Sequence, residues 1–316
     1  MPKIPQGVRG AVFTGWGTAL GHKTVTNDDL AATMDTNDEW IRERTGIERR
    51  HIGGSTAELS VISGRAALAM SGLDPSAIDA LVLSTTTPDR TVPATSATVQ
   101  HALGLSCGAF DINAACSGFV YALVTAHGLV AMGAEKVLLI GTDTLARITD
   151  WNDRNTAVLY ADGSGAAVLE HTHTPGHLLG WDLDADGSAE EFLYCELGGN
   201  IQMNGKEVFR RAVRIMVDSA QKSMAHAGVT SNDIALVVPH QANIRIIQAA
   251  CERLDIPMDR AAVVIAETAN TSSASIPLAL FDAADKGRLA PGDLVLMVGF
   301  GAGMTAASAI IEWGAK

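Results

Sequence analysis

Apolar positions along the chain follow two rhythms. Short continuous runs rich in leucine or β-branched residues occupy residues 81–84, 137–141, 166–170, 236–239, 294–299 and 307–312, and each predicts a strand buried on both faces. Between them, residues 59–70, 118–132, 207–227 and 244–253 carry apolar positions at helical spacing. Strands alternating with helices predict an α/β fold around a largely buried sheet.

The pattern repeats once. Gly-Leu-Asp-Pro-Ser-Ala-Ile-Asp-Ala-Leu-Val-Leu-Ser, residues 72–84, aligns without a gap on Gly-Val-Thr-Ser-Asn-Asp-Ile-Ala-Leu-Val-Val-Pro-His, residues 228–240. In both copies a helix is predicted to end at the glycine, a short turn follows, and an apolar strand runs to a polar tip. Further along, residues 133–141 resemble residues 291–299 in the same order. Two paired matches in register predict a duplicated fold. The boundary is expected in the polar, Gly-rich stretch 171–200, giving halves at 1–170 and 171–316.

Composition narrows the class. Hydrophobic residues make up 47% and charged residues 18%, which argues for a packed chain rather than a disordered one. No apolar run approaches the roughly 18–20 residues that span a bilayer, and the polar N-terminus lacks the apolar stretch of a signal peptide, so a cytoplasmic protein with no membrane partner is expected. A net charge of −12 disfavours nucleic acid as a partner. The four cysteines, Cys107, Cys116, Cys195 and Cys251, form no metal-binding pattern, and no metal or cofactor is expected.

Three segments hold chemistry. Cys116 stands among small residues just before a predicted helix, where free N–H groups favour a thiolate and the Cys116 N–H can face an oxyanion. Cys107, Cys195 and Cys251 have no such setting and are expected to be packing residues. His240 follows Pro239 at the tip of a buried strand, which aims a titratable ring into a cleft. His171, His173 and His177 lie in polar sequence and are expected at the surface. Asn270 lies in a turn of small hydroxyl residues leading into a helix; such a turn also serves as a plain cap, so Asn270 gains meaning only beside the other two. A Gly-Phe-Gly-Ala-Gly-Met-Thr loop after residue 298 has no phosphate-binding Lys-Ser/Thr and is expected to bring backbone N–H groups close to a carbonyl. Arg210, Arg211 and Arg214 on one predicted helix, with Arg245 and Arg253 on another, offer a local basic face on an acidic protein.

Taken in order, Asp-Ile-Asn-Ala-Ala-Cys-Ser-Gly-Phe (111–119), Pro-His-Gln-Ala-Asn-Ile-Arg-Ile (239–246) and Ala-Asn-Thr-Ser-Ser-Ala-Ser-Ile-Pro (269–277) resemble the active-site segments of the β-ketoacyl-[acyl-carrier-protein] synthase III family. The segment 37–50, Asn-Asp-Glu-Trp-Ile-Arg-Glu-Arg-Thr-Gly-Ile-Glu-Arg-Arg, and the Gly-rich loop near the end agree, so the resemblance spans essentially the whole chain. It implies a thiolase-like α/β fold of two pseudo-symmetric halves in five layers (α-β-α-β-α), as a homodimer. It implies Cys116 as nucleophile, His240 and Asn270 as its partners, and the backbone N–H groups of Cys116 and Ala302 as an oxyanion hole. The implied reaction is a decarboxylative condensation of an acyl-CoA with a malonyl group on acyl carrier protein, both being substrates rather than cofactors.

By the same resemblance, Trp40 and Arg154 sandwich the adenine of CoA, Arg44 lies near its phosphates, and Gly205 and Asn243 line the pantetheine channel. Gln241, Ala242, Asn243, Ile244 and Arg245, with Arg210 and Arg214, fall in the carrier-protein contact region, although Glu252 stands where the family is usually basic. Val92 falls where a residue reaches across the dimer to close the acyl pocket. A polyketide starter synthase of the same fold is the nearest rival reading. A cysteine hydrolase lacks its flanking signature here, and a non-catalytic acyl-binding scaffold leaves the three reactive residue types unexplained.

Overall fold

The computed structural model describes residues 4, 8–175 and 178–314. A first mixed sheet runs in the order Arg9–Leu20, Asp162–Pro175, Lys136–Thr144, Ala80–Ser84, Gly108–Ile112, and a second in the order Leu178–Asp184, Thr305–Glu312, Leu294–Gly301, Ile234–Pro239. The pairing senses match strand for strand. Ala80–Ser84 is parallel to Lys136–Thr144 as Ile234–Pro239 is to Leu294–Gly301, and the remaining two strands of each series add antiparallel. Even Gly108–Ile112, parallel to Ala80–Ser84, has a remnant counterpart in the parallel bridge between Val237 and Ala261.

All six predicted strands and all four predicted helices are present. The repeat read from sequence is a structural one, because Gly72 and Gly228 end their helices with φ of 70° and 72°, where a side chain would be strained. Each glycine is followed by a 3-10 turn, Pro75–Ala77 or Ser231–Asp233, and then a strand.

Helices Gly118–Ala131 and Ser275–Asp285 are apolar around most of their circumference, so they are stable only with sheet on both sides. They fill the middle layer, where Phe119, Leu123, Ile276 and Phe281 pack with Val82, Leu139, Val295 and Met297 from the two sheets. Helix Thr56–Ser71 covers the outer face of the first sheet through Ala67 and Leu68, and helices Gly205–Ala227 and Ile244–Arg253 cover the second through Met216 and Ile247. The layers therefore read α-β-α-β-α, the thiolase arrangement.

His173 is exposed as expected, whereas His171 is half-buried with Nδ1 3.1 Å from the Gly10 carbonyl; His177 lies outside the described residues. No helix among the described residues is long and apolar enough to cross a membrane.

Candidate active site

The sheets place reactive groups at their adjoining ends. After the strand Gly108–Ile112 the chain turns through Ala115–Ser117 into the helix Gly118–Ala131, which sets Cys116 at the head of a central helix. The second half repeats this turn: Ser272–Ala274 leads into Ser275–Asp285. The correspondence reaches single residues. Asn113 Oδ1 accepts the Ala115 N–H at 3.3 Å, and Asn270 Oδ1 accepts the Ser272 N–H at 2.9 Å. Ala115 and Ser272 both sit in the left-handed region, with φ of 47° and 50°. The duplicated turn thus presents Cys116 in one half and the Asn270 loop in the other.

These two turns pack on each other, the first also on the strand Leu294–Gly301 and the second on the strand Lys136–Thr144. Close approach there depends on Gly301. A Cβ on Gly301 would lie 2.6 Å from Cys116 N and 2.8 Å from Ala115 Cβ, an impossible contact. A Cβ on Gly299 would lie 3.5 Å from Cys116 O and 3.6 Å from His240 Cβ, ordinary contacts that place Gly299 against both residues. Four non-glycine residues near the site have positive φ, namely Ala115, Ala269, Ser272 and Met304, and the strained backbone is concentrated where Cys116, Asn270 and Ala302 are presented.

His240 ends the strand Ile234–Pro239 and is almost wholly buried. Its N–H donates to Val298 O at 2.8 Å, its ring meets Phe300 edge to face at 5.5 Å, and its Nδ1 lies 2.6 Å from Ser275 Oγ. Burial pushes the imidazole down to about 3, so it is neutral at pH 7. Because Asn270 Oδ1 is taken by Ser272, the amide NH2 is the end left to donate.

The thiol corrects one expectation. Burial pushes Cys116 up to about 12; the Ser272 side-chain hydrogen bond lowers it, the Asp143 carboxylate adds to the rise, and Cys116's own N–H lowers it. The resting sulfur therefore keeps its proton, and the helix end does not produce the thiolate anticipated from sequence.

Cys116 opens on a cavity of about 650 Å³ lined by Ala302, Ser272, Tyr160, Leu145 and Ile201 among others. Tyr194 lines both this cavity and an adjoining cleft of about 750 Å³, which brings Trp40, Arg44, Gly205 and Asn243 together. Arg44 and Arg154 each stack over Trp40 at 4.8 Å. An aromatic ring held between two planar groups needs about 7 Å, so a base entering between Trp40 and Arg154 displaces the guanidinium. Asn243 Oδ1 caps its helix at Arg245 N while its Nδ2 donates to Arg44 O.

Several expectations need adjustment. Gln241 is fully buried, donating to Pro239 O and Ala262 O and accepting from Val264 N, and Ala242 is buried beside it. Both are wall rather than docking surface; of that segment Arg245 is exposed, and Asn243 and Ile244 are half-buried. Arg245 stacks on Phe209 at 5.5 Å, joining the helix that carries exposed Arg210 and Arg214. Arg210 is paired with Glu207 at 2.6 Å. Val92 is 79% exposed and does not line the Cys116 cavity of its own chain. Of the cysteines expected to pack, Cys251 is buried and Cys107 half-buried, but Cys195 is exposed at the rim of the Cys116 cavity.

The sequence reading missed Asp143, which is fully buried and accepts from Thr85 Oγ1, Thr86 N and Oγ1, Thr87 Oγ1, and Ser273 N and Oγ at 2.7–3.0 Å. A carboxylate inside an apolar strand was the signal available. Among the described residues, no group of His, Cys, Asp and Glu is placed to hold a metal ion.

Comparison with known proteins agrees with this architecture. A family profile described as 3-oxoacyl-[acyl-carrier-protein (ACP)] synthase III matches residues 110–187, and its C-terminal counterpart matches residues 224–313. The β-ketoacyl-[acyl-carrier-protein] synthase III of Roseiflexus castenholzii is 46% identical over 96% of this chain and 98% of its own, and that of Erythrobacter litoralis is 46% identical over 96% and 99%. The crystal structure of 3-oxoacyl-[acyl-carrier-protein] synthase III from Aquifex aeolicus superposes with a TM-score of 0.94 at 40% identity, covering 96% of this chain and all of that one. The priming β-ketosynthase of the R1128 polyketide pathway superposes with 0.91 at 34% identity over 99% and 98%. The duplicated α/β core with a cysteine at the head of its central helix is thus that of an acyltransferase, and the chain belongs to the 3-oxoacyl-[acyl-carrier-protein] synthase III family.

Proposed function

We propose that the chain condenses an acyl group from an acyl-CoA with the malonyl group of malonyl-acyl carrier protein, forming a 3-oxoacyl-acyl carrier protein that initiates fatty acid synthesis in the cytoplasm. The observation that carries this reading is a cavity-facing Cys116 placed beside groups from the other half of the fold: Ser272 of the Asn270 turn lines the same cavity, and Gly299 lies against both Cys116 and the buried, neutral His240. The division into residues 1–170 and 171–316 belongs to the same reading, with the strand Asp162–Pro175 carrying the first sheet slightly past that point.

In the first step Cys116 sulfur attacks the thioester carbon, the carbon–sulfur bond to CoA breaks, and the thiol proton leaves with CoA. The N–H groups of Cys116 and Ala302 hold the tetrahedral oxygen, and removal of one such donor typically costs about 10²–10³ in rate. In the second step the malonyl carboxylate leaves as CO₂, and the electron pair passes into an enolate whose oxygen is held by His240 and Asn270. The enolate carbon attacks the acyl carbonyl, and the sulfur departs and regains a proton. The cleft of Trp40, Arg44, Arg154, Gly205 and Asn243 takes CoA. Arg210, Arg214 and Arg245 receive the acidic carrier protein, and a second copy of the chain brings Val92 to the neighbouring acyl pocket.

Separate half-reactions test these roles. Cys116→Ala is expected to abolish acyl transfer from CoA and leave malonyl decarboxylation detectable, while His240→Ala spares acylation more than decarboxylation. Equal loss of both half-reactions in both variants would sink the assignment. The likeness to a polyketide priming enzyme supports a second reading, in which the product starts a polyketide; it leaves the site chemistry unchanged.

A further inference from the structure

The three contacts that hold His240 leave one question of chemistry, namely which ring nitrogen carries the proton. A neutral imidazole donates from one nitrogen only, and the choice is set by the partner of the other. Here that partner is Ser275 Oγ, 2.6 Å from Nδ1. Ser275 is fully buried at the start of its helix, and its oxygen also accepts the Gln241 N–H at 3.3 Å. With a backbone donor directed at its oxygen, the Ser275 hydroxyl proton requires an acceptor. Among the described residues, its one other hydrogen-bond contact is Nδ1. Satisfying every buried donor therefore makes Ser275 the donor and Nδ1 the acceptor.

We propose that Ser275 is a positioning residue that fixes His240 as the Nε2–H tautomer, so that the ring offers a proton, rather than a lone pair, to the reacting thioester. The inference rests on the donor role given to His240 above and adds the group that enforces it.

The duplicated architecture supports this independently. Through the repeat, His240 corresponds to Ser84 at the tip of the matching strand, and Ser275 corresponds to Gly118 at the start of the matching helix. In the first half the junction is filled from the strand side, since a Cβ on Gly118 would collide with Ser84 Oγ. In the second half the strand tip carries an imidazole, and the helix start supplies a hydroxyl in hydrogen-bonding contact with its Nδ1. One strand–helix junction thus appears twice, packed tight in the first copy and holding a hydrogen-bonded pair in the second. The same helix start follows the Asn270 loop, so one short segment orients both donors.

The test uses the full-length protein labelled with ¹⁵N-histidine, with the His240 signals identified by their loss in His240→Gln. At pH 7.5 the wild type is expected to show a pyridine-type nitrogen at Nδ1 and a protonated Nε2. A wild-type Nδ1–H tautomer overturns the proposal without recourse to any variant. In Ser275→Ala the two nitrogens are expected to move toward averaged values, and malonyl decarboxylation is expected to fall at least tenfold while acyl transfer from acyl-CoA to Cys116 stays within threefold. Ser275→Cys, which keeps a weak donor, is expected to recover part of the decarboxylation and serves if the alanine variant folds poorly. Equal losses in both half-reactions, or unchanged decarboxylation in Ser275→Ala, overturn the positioning role. Failure of the underlying reading shows elsewhere, as full decarboxylation in His240→Ala.

Discussion

A thiol in the first turn of a helix feels unpaired N–H groups that favour its anion, while removal from water favours the neutral form. At Cys116 the second effect wins, and the sulfur is pushed up to about 12. Its thiolate fraction therefore rises with pH throughout the working range. Alkylation of Cys116 by iodoacetamide, followed by mass spectrometry, is expected to accelerate about tenfold per pH unit from pH 6 to 9; a plateau near neutrality would show that the helix end outweighs burial. Gly301 matters for a steric reason, since its missing Cβ leaves room for the Cys116 N–H. Gly301→Ala is expected to cut acyl transfer to Cys116 by at least tenfold through displacement of that N–H. A variant with native thermal stability and undiminished acylation would contradict it.

At the scale of elements, the second active-site turn is tied to the loop after the strand Ala80–Ser84 through the single carboxylate of Asp143 at the end of the strand Lys136–Thr144. Its Oδ1 gathers the loop of Thr85, Thr86 and Thr87, and its Oδ2 holds Ser273 within the turn that follows Asn270. Asp143→Asn replaces one acceptor with a donor facing donors, and it is expected to cost about 2–4 kcal/mol of stability. Condensation should fall with it, as measured by denaturant unfolding and turnover; a change below 0.5 kcal/mol, on the order of an ordinary surface substitution, would remove the clamp. Why the sequence revealed some elements and hid others follows from what each is made of. The runs at 81–84 and 294–299 are continuous and apolar because sheet and helices cover them on both faces. The strand Arg9–Leu20 escaped because Gly15 and Gly17 interrupt its pattern, yet those glycines let helix Thr56–Ser71 approach so closely that any Cβ would strike its backbone. The duplicated turn was hidden more deeply. Its copies share a left-handed residue and an asparagine-capped N–H but only one residue type, Asn113 and Asn270, so a comparison of letters passes over it. Gln241 was misread because its polar side chain is satisfied inside the protein by backbone carbonyls and an N–H, a fact invisible until strand and loop meet.

For the whole molecule, a fold that buries a neutral imidazole between its two halves must depend on pH. His240 is held down at about 3 by burial, whereas in the unfolded chain it titrates near 6.5. Below that value the unfolded chain binds a proton that the folded protein refuses, so stability is fully present above about pH 6.5 and is lost as pH falls toward 3. The slope is up to about 1.4 kcal/mol per pH unit, or roughly 2 kcal/mol between pH 7 and pH 5. Other acid-sensitive groups act in any variant as well, so the contribution of His240 is read as a difference. His240→Gln is expected to lose about 2 kcal/mol less than the wild type over that interval in urea unfolding. Identical losses would mean that the ring takes up its proton in the folded state and that the junction of the halves admits charge. In that case a neutral donor facing the enolate would hold only at the alkaline end of the range, and decarboxylation would have to decline along the same titration.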